Sequence, residues 1–151
     1  MGILETLWAR EQIRDLLYKY CHGIDQRDWE LVRSCFADHH QHTHGKFSGS
    51  ADEFIAYASG FLKNVEASHH SIANTKIDIS DDGKSAHCDA NFLAFHKVKD
   101  GTPPEMSFPS NGQGTDWDVA GRYVDDFEYR DGKWLIVKRK AFHVWERKLA
   151  I

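Results

Sequence analysis

The chain is poor in several things at once. Its 151 residues include only 3 cysteines and 3 prolines, no apolar run approaching the roughly 20 residues of a membrane span, and no excess of basic charge. Cys21, Cys35 and Cys88 are odd in number, widely spaced and never in a Cys-x-x-Cys pair. That argues against a disulfide framework or a zinc knuckle and leaves three buried free thiols. With 19 Lys and Arg against 23 Asp and Glu, and the basic residues scattered, nucleic acid is not an expected partner. The opening MGILETLWAR turns acidic too early for a secretory signal, so the expected setting is the cytoplasm, away from membranes. The length suits one domain, 1–151, large enough to bury about two thirds of its unfolded surface.

What is present is a helical pattern followed by an extended one. Ile3, Leu4, Leu7, Trp8, Ile13, Leu16, Leu17, Tyr20 and Cys21 recur at three- and four-residue intervals and predict a long amphipathic helix stopped by Gly23. A short helix is predicted from Asp28 through Trp29, Val32 and Phe36, leaving Asp25 in the bend. Ser50-Ala51-Asp52-Glu53 has the form of a capping box and heads a third helix with Phe54, Ile55, Ala58, Phe61 and Leu62. From residue 70 the period becomes two. Ala86, Cys88, Ala90, Phe92, Ala94 and His96 share one strand face, and Val119, Gly121, Tyr123, Phe127 and Tyr129 share another. Asp131-Gly132 is a hairpin turn leading to Leu135, Val137, Arg139 and Ala141 on one side, and Asp82-Gly83 marks a similar turn. The prolines and three glycines cluster between Asp100 and Asp116, a long loop that reads equally well as a lid, a binding loop or plain surface chain.

Three ionisable side chains stand where the pattern calls for apolar residues: His70 at a strand start, His96 on an apolar strand face and Arg139 on another. Singly, a core histidine with a satisfied ring and a strand-end arginine reaching for water are the simplest readings. Together they suggest a polar-lined pocket, because each unpartnered buried polar group costs about 1–3 kcal/mol. A carboxylate on one ring nitrogen of His70 would fix its tautomer and raise the basicity of the other. Asp25 is the candidate, although its spacing also fits a residue capping the Asp28 region. In Asp38-His39-His40-Gln41-His42-Thr43-His44, alternation on a strand would put two imidazoles on one face. No carboxylate-rich motif completes a ligand set, so an exposed polar strand with one His facing the pocket is the simpler reading, and no metal is expected. Trp117, Trp134 and Trp145 read as core or interface aromatics, one of which could line the pocket.

The segment Cys21-His22-Gly23-Ile24-Asp25-Gln26-Arg27-Asp28-Trp29, the run His69-His70-Ser71-Ile72-Ala73-Asn74 and the turn Asp131-Gly132-Lys133-Trp134 resemble SnoaL-like domains of the nuclear-transport-factor-like superfamily, as found in scytalone dehydratases and hexachlorocyclohexane dehydrochlorinases. The resemblance runs from about residue 7 to 145. It implies an α+β cone, a curved, mainly antiparallel sheet wrapped around three N-terminal helices. Asp25 and His70 would be the catalytic pair, and Tyr20, His44, His96, Tyr123 and Arg139 would bind substrate. Ile24 stands in the place of one scytalone dehydratase tyrosine, His44 lies about where another falls, and Tyr123 replaces a pocket Asn, which argues against scytalone itself. The implied activity is a cofactor-independent lyase of the dehydratase type, acting on a small hydrophobic cyclic or aromatic carbonyl compound. An isomerase or cyclase using the same proton transfer, or a non-catalytic binding module, are the alternatives. A homo-oligomer is also implied, a trimer ahead of a dimer.

Overall fold

The computed structural model describes residues 1–102 and 116–149. Among them the chain forms three helices and six strands: α1 (Ile3–Gln26), α2 (Trp29–Arg33), β1 (Phe36–His44), β2 (Phe47–Gly49), α3 (Ala51–Leu62), β3 (Val65–Ile79), β4 (Ser85–Val98), β5 (Asp116–Arg130) and β6 (Lys133–Leu149). The strands make one sheet in the order β2-β1-β6-β5-β4-β3, antiparallel throughout except where β1 runs parallel to β6. The sheet curves without closing, and the expected α+β cone is the fold found. Its third helix follows β2 rather than preceding the sheet.

The apolar stripe of α1 buries Ala9, Ile13, Leu16, Leu17, Tyr20, Cys21 and Ile24 against the sheet, while Ile3, Leu4, Leu7 and Trp8 stay exposed in the isolated chain. Gly23 does not stop this helix. It lies inside it, where a Cβ would stand 2.7 Å from Val32 Cγ2, so its missing side chain lets α2 pack close. The stop comes at Arg27, left-handed at φ 60°, with the Arg27 and Asp28 amides donating back to the carbonyls of Ile24 and Gly23. Asp28 caps α2 by accepting from the Leu31 amide, which leaves Asp25 in the last turn of α1 rather than in the bend. The second helix also ends before Phe36, which opens β1. The Ser50 and Glu53 capping box of α3 forms as expected, each side chain accepting from the other's backbone N–H.

On β4 the even residues from Ala86 to Val98 are buried and the odd ones are not, the clean alternation of a sheet with one covered face. Asp131 and Gly132 both take positive φ, 52° and 78°, as a tight hairpin requires. Two register shifts break the period-two reading of the last hairpin. Opposite Phe127 and Asp126 stand Ile136 and Lys138, so Val137 is an extra residue and the strand changes face there. Trp134 and Ile136 therefore point inward on one side of the bulge, and Arg139 and Ala141 on the other, in place of the expected Leu135, Val137, Arg139 and Ala141 row. Tyr129, expected inward, is exposed. All three cysteines are free and buried.

β1 corrects another expectation. His40 and His42 are enclosed in the core rather than lying on an exposed polar strand. The His40 Nδ1–H donates to the Ile136 carbonyl at 3.0 Å, and the His40 and His42 rings meet at 3.2 Å between Nε2 and Nδ1. The proline-bearing segment between Asp100 and Asp116 lies almost wholly outside the described residues. Among those described, no helix is long and apolar enough to cross a membrane.

Candidate active site

The last turn of α1 and the middle of β3 bring Asp25 and His70 together across 45 positions of sequence, with Asp25 Oδ1 at 2.7 Å from His70 Nδ1. His70 is well inside its strand rather than at the start. Its backbone N–H donates to Asp25 Oδ2 at 2.8 Å, and the Ser68 hydroxyl donates to Oδ1 at 2.9 Å. Arg27 completes the support by donating to Ser68 Oγ at 2.8 Å and to the Ile24 carbonyl at 2.6 Å. Burial would raise the Asp25 pKa, but hydrogen bonds and charge from His70, with the Ser68 bond, outweigh it and hold the carboxyl below its usual range. An ionised Asp25 needs the proton on His70 Nδ1, which leaves Nε2 as the basic nitrogen for the cavity that His70 lines.

That cavity encloses about 490 Å³ between the helices and the concave sheet face. Its wall is largely apolar, with Phe54, Phe61, Leu62, Phe92 and Val119, and carries a few polar groups, the makeup of a small-molecule pocket. Of the residues expected from sequence, Tyr20, His44, His70, His96 and Tyr123 line it. His96 Nδ1–H donates to the Trp117 carbonyl at 3.0 Å, and its ring meets His70 edge-on at 5.3 Å between centroids. Burial above all, with the neighbouring His70, pushes its pKa down to about 3. Neutral His96 therefore offers the cavity an acceptor nitrogen. Trp117, stacked on His96, is the tryptophan that lines the cavity.

Arg139 is placed differently from the expectation. Its guanidinium is wholly buried, donating from Nε and Nη2 to the two oxygens of Asp125 at 2.8 and 2.6 Å. Tyr20 and Tyr123 cover it, with their ring centroids 4.2 and 4.1 Å from Cζ. It thus backs the two tyrosines of the wall and is not itself a lining residue. Asp125, passed over in the sequence, sits directly across from Arg139 in the β5–β6 register, and its inward position between Tyr123 and Phe127 was the available signal.

Sequence reasoning also missed His143 and Glu146 on β6, both of which line the cavity. A strict period of two would put them on opposite faces. Opposite Gly121 and Ala120 stand His143 and Trp145, so Val144 is an extra residue, and this second bulge turns both His143 and Glu146 inward. His143 Nδ1 meets Glu146 Oε1 at 2.8 Å, His143 Nε2 meets His44 Nε2 at 3.1 Å, and the Trp117 indole N–H donates to Glu146 Oε2 at 3.1 Å.

An α+β cone holding a largely apolar cavity, with a carboxylate-oriented histidine in its wall, defines the class of fold to which this chain belongs. More particularly, the SnoaL-like domain model matches residues 5–140, and the chain belongs to that family. Solved structures agree in fold. A candidate scytalone dehydratase of Novosphingobium aromaticivorans superposes with a TM-score of 0.82 at 17% identity, covering 99% of this chain and 93% of that one. The hexachlorocyclohexane dehydrochlorinase LinA-type3 of Novosphingobium barchaimii gives 0.81 at 18% identity, covering 99% and 95%. A single-substitution variant of Rv3472 of Mycobacterium tuberculosis, a protein of unknown function, gives 0.73 at 18%, covering 95% and 76%. Among curated protein sequences none is significantly similar.

Proposed function

We propose that this protein is a lyase of the dehydratase type, needing no cofactor, in which His70 abstracts a proton beside the carbonyl of a small cyclic or aromatic-like compound. The observation that carries the reading is the 2.7 Å contact between His70 Nδ1 and Asp25 at the wall of an apolar cavity. Asp25 orients the imidazole and stabilises the imidazolium formed when Nε2 takes the proton. Tyr20 and Tyr123 sit in the same wall over Arg139, which suits them to face the substrate's carbonyl oxygen as negative charge develops on it. His96 and His44 add to the polar lining. A volume of about 490 Å³ accommodates one or two fused rings. The two named enzyme neighbours, a candidate dehydratase and a dehydrochlorinase, carry names of eliminating enzymes, which favours elimination over isomerisation or cyclisation by the same proton transfer.

The first step is testable before the natural substrate is known. Incubated with 1-indanone in deuterated water, the wild type should speed exchange of the protons next to the carbonyl, followed by NMR. His70→Ala and Asp25→Asn should each lower that rate by roughly 10²- to 10⁴-fold while circular dichroism stays unchanged. Exchange equal to buffer in the wild type, or undiminished in His70→Ala, would leave a ligand-binding module as the better account.

A further inference from the structure

One side chain beside the Asp25 and His70 pair stands where the backbone favours having none. Arg27 ends α1 in the left-handed region at φ 60°, where a Cβ is penalised and glycine is the usual residue. Among the described residues, Asp131 of the hairpin turn is the other non-glycine with positive φ. The Arg27 side chain turns back toward the pair. Its Nη1 donates to the Ile24 carbonyl at 2.6 Å, which anchors the guanidinium on the last turn of α1, and to Ser68 Oγ at 2.8 Å. Ser68 lies two residues before His70 on β3, so the two side chains share a strand face, and both bond to Asp25.

The directions of these bonds follow from the groups that make them. A guanidinium only donates, an ionised carboxylate only accepts, and a hydroxyl has one proton to give. Because Arg27 occupies a lone pair of Ser68 Oγ, the hydroxyl proton goes to Asp25 Oδ1, 2.9 Å away. Asp25 then receives three donors, all from β3: the Ser68 hydroxyl and His70 Nδ1–H on Oδ1, and the His70 backbone N–H on Oδ2. Neither Arg27 nor Ser68 lines the main cavity, so whatever they do for the chemistry they do through Asp25. Resting on the proton-abstraction reading above, we infer that Arg27 and Ser68 are positioning residues: Arg27 sets the direction of the Ser68 hydroxyl, and that hydroxyl locks Asp25 in the orientation that presents His70 Nε2 to the substrate. The left-handed backbone at Arg27 is strain kept at a functional site for the sake of the side chain it carries.

The test reads the imidazole itself as well as the rate. In wild type the His70 Nδ1 proton, bonded to Asp25, should give a sharp downfield NMR line, identified by its loss in His70→Ala. Ser68→Ala should broaden that line through exchange with water, as the carboxylate gains freedom to turn. It should also slow proton exchange on 1-indanone by roughly 10- to 10²-fold, the scale of a small misplacement of reacting groups. Ser68→Thr, which returns a hydroxyl, should restore most of the rate and the sharp line. Arg27→Gly suits the left-handed backbone, so it should keep the wild-type circular dichroism spectrum and yet show the same two defects. An unchanged line or an unchanged rate in Ser68→Ala or in Arg27→Gly overturns the inference. So does Ser68→Thr as slow as Ser68→Ala, which would reduce the effect to packing. Exchange that depends on His70 but not on Arg27 or Ser68 sinks this inference alone, whereas a wild type that exchanges no protons sinks the proton-abstraction reading and this inference with it.

Discussion

Four imidazoles are forced neutral by the interior. Burial is the first cause in each case, lowering His40 and His96 to about 3, His44 to about 4 and His42 further still. In the unfolded chain the same groups titrate near 6.5. Between these values the unfolded state binds the extra protons, so stability rises with pH through the window and falls as pH drops from about 6.5 toward 4. At pH 5 all four contribute, so the slope of unfolding free energy should reach about 5 kcal/mol per pH unit, corresponding to roughly four protons taken up on unfolding. Urea titrations from pH 4.5 to 6.5 measure it, and His42→Leu should remove about one proton from the slope. A flat profile would mean that these rings are protonated in the fold. Asp25 acts in the same direction lower down, since its depressed pKa supplies stability above the ordinary carboxylate range that is lost on acidification. The buried Arg139 and Asp125 pair holds its charges in balance with two hydrogen bonds and two aromatic faces, which is why an arginine is tolerated on an inward strand position.

At the scale of elements, close approaches and bulges decide where side chains end up. Gly23 is the clearest close approach: an added Cβ would meet Val32 Cγ2 at 2.7 Å and the Val32 amide nitrogen at 3.1 Å. In an exposed helix interior Gly→Ala would stabilise by about 1 kcal/mol. Here overpacking should reverse the sign, and Gly23→Ala is expected to lose roughly 1–3 kcal/mol in denaturant unfolding. A gain in stability would show that α2 is free to move away. The bulges of β6 act in the other direction, adding one residue each at Val137 and Val144. The first aims Arg139 inward at Asp125, and the second puts His143 and Glu146 on the same face as His44. Without these extra residues both clusters would be split across the sheet, so the cavity's chemistry depends on two local failures of strand pairing.

Among the described residues, an apolar row lies exposed on the outer face of the sheet. Leu93, Ala120 and Trp145 stand side by side across β4, β5 and β6, with Phe95 and Phe142 nearby, and Leu93, Phe95, Phe142 and Trp145 are each 39% or more exposed. A contiguous apolar patch on a sheet face favours association. We expect a homo-oligomer, a trimer in preference to a dimer, formed over this face. Sedimentation velocity at micromolar concentration should show the assembly, and Trp145→Lys should dissociate it without altering the circular dichroism spectrum. A monomeric wild type would refute the expectation.

The sequence by itself determined the presence of three helices, the capping box at Ser50, the Asp131-Gly132 hairpin and the inward face of β4, because these follow from short-range periodicity and turn chemistry. It also pointed to Asp25 and His70, through a family-like motif rather than through any local rule. Their contact, across 45 residues, belongs to the tertiary structure, as do the enclosure of His40 and His42 and the partner of Arg139. His143 and Glu146 were illegible for a definite reason. A pattern of period two assigns positions 143 and 146 to opposite faces, and only pairing with β5, which leaves Val144 over, turns both into the cavity.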